Sequence, residues 1–170
     1  MMHSPVQATM SAFARRYVPK EIREIDHPRA GQAADDPLWL MGLGGGPDGD
    51  PVALVRSGLP TTVIDGLARS LGVNQREFLA ASSITPATLT RRRNAGGRLT
   101  PAESDRVYRI ASCLADAVRL FEGDREAARG WLMEPARALG EETPFEYLAT
   151  EVGATEVRRL IGRLEHGVYP

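Results

Sequence analysis

Three Thr-Pro dipeptides, Thr85-Pro86, Thr100-Pro101 and Thr143-Pro144, punctuate the second half of the chain. Each is a helix start. The threonine hydroxyl accepts an otherwise orphaned N–H of the first turn, and proline occupies the first helical position, where its missing N–H costs nothing. Glu103 and Glu77 stand three residues after Thr100 and Asn74, the spacing of a reciprocal capping box. Gly72, Gly96-Gly97, Gly123 and Gly167 fall where the intervening helices must stop. Between starts and stops the apolar residues recur at helical spacing. Ile64, Leu67, Ala68 and Leu71 form one stripe, and Val107, Ile110, Ala111, Leu114, Ala117, Val118 and Phe121 a longer one. Val157, Leu160, Ile161 and Leu164 form the last. No run of strand period of comparable quality follows position 58, so the expected fold class is all-α.

The same signals set provisional boundaries. A first helix carries Ile64 to Leu71, and a second runs from Asn74 to about Ser83, with Val73 and Phe78 as its hydrophobic staple. A third starts at Thr85, with Ile84 and Leu89 as staple, and a long fourth starts at Thr100. Asp124 caps a short helix through Trp131, Leu132 and Met133 that ends before Pro135. Thr143 opens another that closes near Gly153, and the last spans about Thr155 to His166. The first 50 residues read differently. They hold Pro5, Pro19, Pro28 and Pro37 and end in a glycine-rich stretch at 42–51 that reads as a linker. Phe13–Ile25 has the pattern of a short helix or strand, and Pro37–Leu43, with Trp39, that of a docking segment. The expected organisation is an extension and linker over 1–51, a helical domain over 52–122 and a second helical domain over 123–170.

Composition removes several function classes. Of 170 residues 42% are hydrophobic and 25% charged, a globular balance. Cys113 is the single cysteine, which excludes an intramolecular disulfide framework, and its place beside the long apolar stripe reads as a small buried hydrophobe. No apolar run approaches the roughly 20 residues needed to span a bilayer. Charges behind a weakly apolar start are the reverse of a secretory signal, and the expected compartment is the cytoplasm. The glycine-rich GLGGGP at 42–47 lacks the last glycine of a dinucleotide loop and the lysine of a phosphate loop. His3, His27 and His166 have no spacing with acids that makes a metal site or a triad. No cofactor, metal or catalytic group is expected.

What remains points to nucleic acid. Two short helices with a tight break at Ser83–Thr85 have the layout of a helix-turn-helix, whose second helix lies in the major groove. That helix reads TPATLTRRRNAGGR, with Leu89 inward. Thr85, Thr88, Arg91, Arg92, Arg93 and Arg98 are the candidate DNA contacts, because guanidinium forks match guanine edges and phosphates, and hydroxyls suit either. The formal charge of −1 conceals a polarity. Residues 85–109 hold six arginines against two acids, whereas 122–165 hold ten acids against six arginines. The twenty arginines against the single Lys20 follow a general arginine preference of the chain.

Residues 131–168 bear a resemblance. Trp131-Leu132 before Pro135, Leu139-Gly140, Thr143-Pro144, Leu148, Gly153, and Leu164 with Gly167 resemble the toxin-binding domain of Xre/ParS-type antitoxins. TLTRRR at 88–93 and LTPAES at 99–104 fit the Xre-type helix-turn-helix upstream of it. The likeness covers roughly residues 58–170. It implies a dimeric autorepressor that binds operator DNA and neutralises a NAD-degrading RES-domain toxin by covering its active site. By the same resemblance Arg163, His166, Val168, Tyr169 and Pro170 are the candidate toxin contacts, and Trp131, Leu139 and Phe145 pack. The chain departs from the pattern at Glu141, where such proteins often have a second glycine, and its first 50 residues match nothing in it. The alternative reading is a free-standing repressor whose C-terminal domain only dimerises or senses a ligand.

Overall fold

A computed structural model of the chain describes residues 36–43 and 50–167. Among these residues there are nine α-helices, one short 3-10 turn and two isolated β-bridges, and the fold is all-α as the punctuation requires. The helices are α1 (Pro37–Leu40), α2 (Pro51–Ser57), α3 (Thr62–Leu71), α4 (Gln75–Ala81), α5 (Pro86–Asn94), α6 (Pro101–Leu120), α7 (Arg125–Met133), α8 (Pro144–Tyr147) and α9 (Glu151–Glu165). The reading of Phe13–Ile25 and most of the linker lie outside the described residues.

The expected starts are made as drawn. Asn74, Thr85, Thr100, Asp124 and Thr143 all cap with their side chains, and Asn74, Thr100 and Thr143 close full capping boxes with Glu77, Glu103 and Glu146. The docking segment also forms. Asp36 accepts from the Leu38 amide at 2.8 Å, Pro37 takes the first helical position, and Leu38, Leu40 and Met41 are buried. Asp50-Pro51 repeats that device to start α2, a helix the periodicity did not reveal because seven residues hold too few turns.

Two boundaries differ at the C-terminal end. The helix opened by Thr143 is a single turn and does not reach Gly153. The last helix starts four residues before the expected Thr155, with Thr150 as its cap. Gly153 is therefore not a stop but the third residue of α9, whose amide donates to Thr150 Oγ1 at 3.0 Å.

Helix α6 is the axis. It packs against α1, α2, α3, α7 and α9, and one continuous cluster of buried side chains runs from Leu38 through Phe78, Ile110 and Leu132 to Ile161. The expected stripe of α6 faces this core, Val107, Ile110, Ala111, Leu114, Ala117 and Val118 being buried and Phe121 partly so. No described helix is long and apolar enough to cross a membrane.

Candidate functional site

Local hydrogen bonds shape the two-helix unit. Asn74 Oδ1 accepts from the Glu77 amide and Glu77 Oε2 from the Asn74 amide, each at 2.9 Å, which fixes the start of α4. At its end the buried Ser82 hydroxyl turns back to donate to the Phe78 carbonyl at 2.9 Å. Ser83 then takes a left-handed φ of 52°, and this reverses the chain. The Ile84 amide donates to the Leu79 carbonyl, and Thr85 Oγ1 accepts from the Thr88 amide at 3.1 Å to start α5. Leu89 is the one buried residue of α5 and anchors it, a burial that stabilises by about 2 kcal/mol.

Helix α6 holds this unit from behind. Arg106 Nε donates to the Ser82 carbonyl at 2.8 Å and so clamps the turn. Glu103, buried at the start of α6, receives Arg92 of α5 in a fork, with Arg92 Nε at 2.9 Å from Oε2 and Nη2 at 3.1 Å from Oε1. The same carboxylate accepts the Thr100 amide at 2.8 Å. Burial is the largest single influence on Glu103 and by itself would push its carboxyl up. The Arg92 and Thr100 hydrogen bonds with the Arg92 charge outweigh it, and the carboxyl lies below its usual range.

The expected DNA contacts thus divide. Thr85 and Thr88 share a hydroxyl hydrogen bond of 2.9 Å. Arg92 is forked onto Glu103, and Arg93 Nη2 lies 2.8 Å from Asp65 of α3. Arg98 donates to the carbonyl and hydroxyl of Ser57, at 3.3 and 3.4 Å. The Arg91 side chain is exposed and makes no hydrogen bond or ion pair with any described residue. Sequence reasoning missed Asp65, Glu103 and Arg106 as holders of the site. Glu103 was legible only as a cap, and nothing local marks which arginine an acid 11 or 28 residues away will take.

On the far side of α6 the C-terminal segments pack as the resemblance implied. Trp131, Leu139 and Phe145 are buried, and Phe121 and Trp131 meet with ring centroids 6.4 Å apart. Arg109, buried in α6, reaches Glu151 at the start of α9 at 2.8 Å. Cys113 is buried on α6, and burial pushes its thiol up to about 11, so it packs as a small hydrophobe. Arg163 is half-buried on α9 and His166 exposed at its end, while Val168, Tyr169 and Pro170 lie outside the described residues.

Comparison with known proteins places both halves. Residues 50–112 match the antitoxin Xre-like helix-turn-helix domain, and residues 116–167 the C-terminal toxin-binding domain of Xre/MbcA/ParS antitoxins. Antitoxin Xre of Yersinia enterocolitica is 43% identical over 115 residues, covering 68% of this chain and 78% of that protein. Antitoxin Xre of Photorhabdus laumondii is 35% identical over 134 residues, 78% of this chain and 90% of that one. The chain belongs to the Xre antitoxin family. A more distant relative, from a Sphingobium species, is 22% identical over 128 residues, 71% of this chain and 80% of its own, and is named a Prs ADP-ribosylating antitoxin. As an Xre-family type II antitoxin, the chain carries a helix-turn-helix domain followed by a toxin-binding domain, with α4 and α5 as the two-helix unit.

The departure from the Xre pattern at Glu141 has a physical meaning. Gly140 and Glu141 are both left-handed, with φ of 71° and 68°. They close a tight loop in which the Ala136 amide donates to the Glu142 carbonyl at 3.0 Å. A side chain pays for that conformation, which glycine takes freely. Glu141→Gly is expected to raise stability by about 0.5 kcal/mol, since the 3.9 Å exposed contact to Arg137 that it removes contributes little. Thermal unfolding of the two proteins side by side checks it.

Proposed function

We propose that this antitoxin represses its own operon through α4 and α5 and neutralises a RES-domain, NAD-degrading toxin with its C-terminal segment. Residues 52–122 form the DNA-binding part and 123–170 the toxin-binding part, behind an extension over 1–51. It works as a cytoplasmic homodimer and without chemistry of its own. The observation that carries the DNA half is the presentation of α5. Its cap, its anchor Leu89 and its Glu103 clamp fix one face inward and leave the opposite face, with Arg91, exposed. Thr85, Thr88, Arg92, Arg93 and Arg98 line the flanks, where guanidinium and hydroxyl groups suit phosphates. Operator binding through this surface would weaken steeply with salt.

The toxin half acts by exclusion: Arg163, His166, Val168, Tyr169 and Pro170 would lie in the partner's cleft and keep substrate out. In such contacts a few anchors dominate, and one terminal aromatic counts for much. Deleting residues 167–170 is expected to abolish rescue of growth when the chain is co-expressed with a neighbouring RES-type toxin. Full rescue by the shortened chain would overturn the assignment. The relative named a Prs ADP-ribosylating antitoxin favours a second reading of the partner, in which the toxin modifies Prs by ADP-ribosylation. Mass analysis of Prs from toxin-expressing cells separates the two.

A further inference from the structure

The run Arg91-Arg92-Arg93 presents three guanidinium groups on three sides of one helix. At about 100° per residue, and with the buried Leu89 as origin, Arg91 points about 200° round, close to directly away from the core. Arg92 and Arg93, at about 300° and 40°, flank the core side instead. The contacts follow that geometry. Arg92 enters the fork of Glu103 on α6, and Arg93 meets Asp65 on α3, which also accepts Gln75 Nε2 from the start of α4 at 2.6 Å. Two carboxylates from two other helices thus hold the sides of α5. Arg91 shares the outward face with Ala87 and Asn94, both exposed, and has no partner among the described residues.

The commitments differ in kind. For Arg92 to reach a base it would have to leave Glu103, a buried carboxylate that would then lose the fork neutralising it. Arg93 and Asp65 are each about 40% exposed, so their pair is weaker, yet it still places the Arg93 fork against α3 and not along the outward face. Among the described residues Arg91 has no such contact to give up. A free arginine on the outward face of a groove-bound helix matches guanine, whose O6 and N7 accept two parallel N–H bonds from one guanidinium.

We propose that Arg91 alone of the three reads a base, a guanine presented in the major groove, while Arg92 and Arg93 set the position of the helix that carries it. The inference rests on the DNA-binding reading above, and its test keeps the two apart. Duplexes enriched from a randomised pool by the full-length chain define the preferred sequence. Binding of the enriched duplex and of a scrambled duplex is then measured by fluorescence anisotropy. The wild-type chain is expected to enrich a motif with a fixed guanine. Arg91→Ala loses that guanine from its own enriched pool and binds the wild-type motif about 10- to 100-fold more weakly, with much less change on the scrambled duplex. Arg92→Lys keeps a cation against Glu103 and therefore the fold, checked by circular dichroism, and it retains the guanine. A guanine that persists in Arg91→Ala, or disappears in folded Arg92→Lys, overturns the proposal. A wild-type motif without guanine also overturns it while leaving DNA binding intact. Failure of the wild-type chain to enrich any sequence overturns the DNA-binding reading and the proposal with it.

Discussion

Glu103→Ala is expected to destabilise the protein by about 2–3 kcal/mol, a fall of about 5–10 °C in midpoint, although the residue lies outside α5. Its carboxylate holds the Arg92 fork and the Thr100 amide at once, so one truncation removes charge-assisted hydrogen bonds and a helix cap together. Arg92 keeps a route to water, its side chain being 26% exposed, which holds the loss below that of a fully buried pair. The effect has a pH signature. The Glu103 carboxyl is held below its usual range in the folded chain, so its stabilisation is complete above the ordinary carboxylate pKa of about 4.3 and is lost as pH falls through the depressed folded value. The gap between wild type and Glu103→Ala should be widest at neutral pH and shrink towards about pH 3. Thermal unfolding across that range measures it. An equal gap at both ends would mean that Glu103 acts only through packing.

The contrast between Glu103 as a cap and Glu103 as a clamp marks where the sequence stops being legible. Starts and stops are short-range devices, written within four residues, and Thr85-Pro86, Thr100-Pro101 and Asn74 with Glu77 were readable for that reason. The long stripe of α6 was readable because twenty residues give more than five turns of period. The α5 cap and the inward Leu89 followed from the same rules, which turn Thr88, Arg91 and Arg92 outward or sideways together, although Arg92 in fact reaches back to Glu103. Which arginines are tied down did not follow. That depends on Asp65 and Glu103, 28 and 11 residues away in sequence, arriving from other helices. The short α2 escaped because its seven residues bury none completely and leave no periodic trace. Gly153 was misplaced for a related reason: a glycine reads as a stop when only its freedom is considered, and as a contact only when its neighbour in space is known.

That neighbour inverts the ordinary effect of a helix substitution. By propensity alone, glycine to alanine inside a helix stabilises by about 1 kcal/mol. At Gly153 an added Cβ would lie 2.0 Å from the Tyr147 carbonyl oxygen and 2.9 Å from its carbon, both backbone atoms of the turn that leads into α9. A backbone carbonyl cannot rotate aside as a side chain does, so α8 and α9 must separate. Gly153→Ala is therefore expected to destabilise by about 2–3 kcal/mol, the scale of overpacking in a filled core. Gly162, nine residues on in the same helix, supplies the control, because an added Cβ there has open space within 4 Å. Gly162→Ala should stabilise by about 0.5–1 kcal/mol. Denaturant unfolding of the two variants reads both signs in one experiment. If Gly153→Ala is as benign as Gly162→Ala, the approach of Tyr147 to α9 is not the constraint that places a glycine at this position. If the signs differ, the glycine is required by the close junction between the turn and the last helix, and any family member that keeps this junction needs it for the same reason.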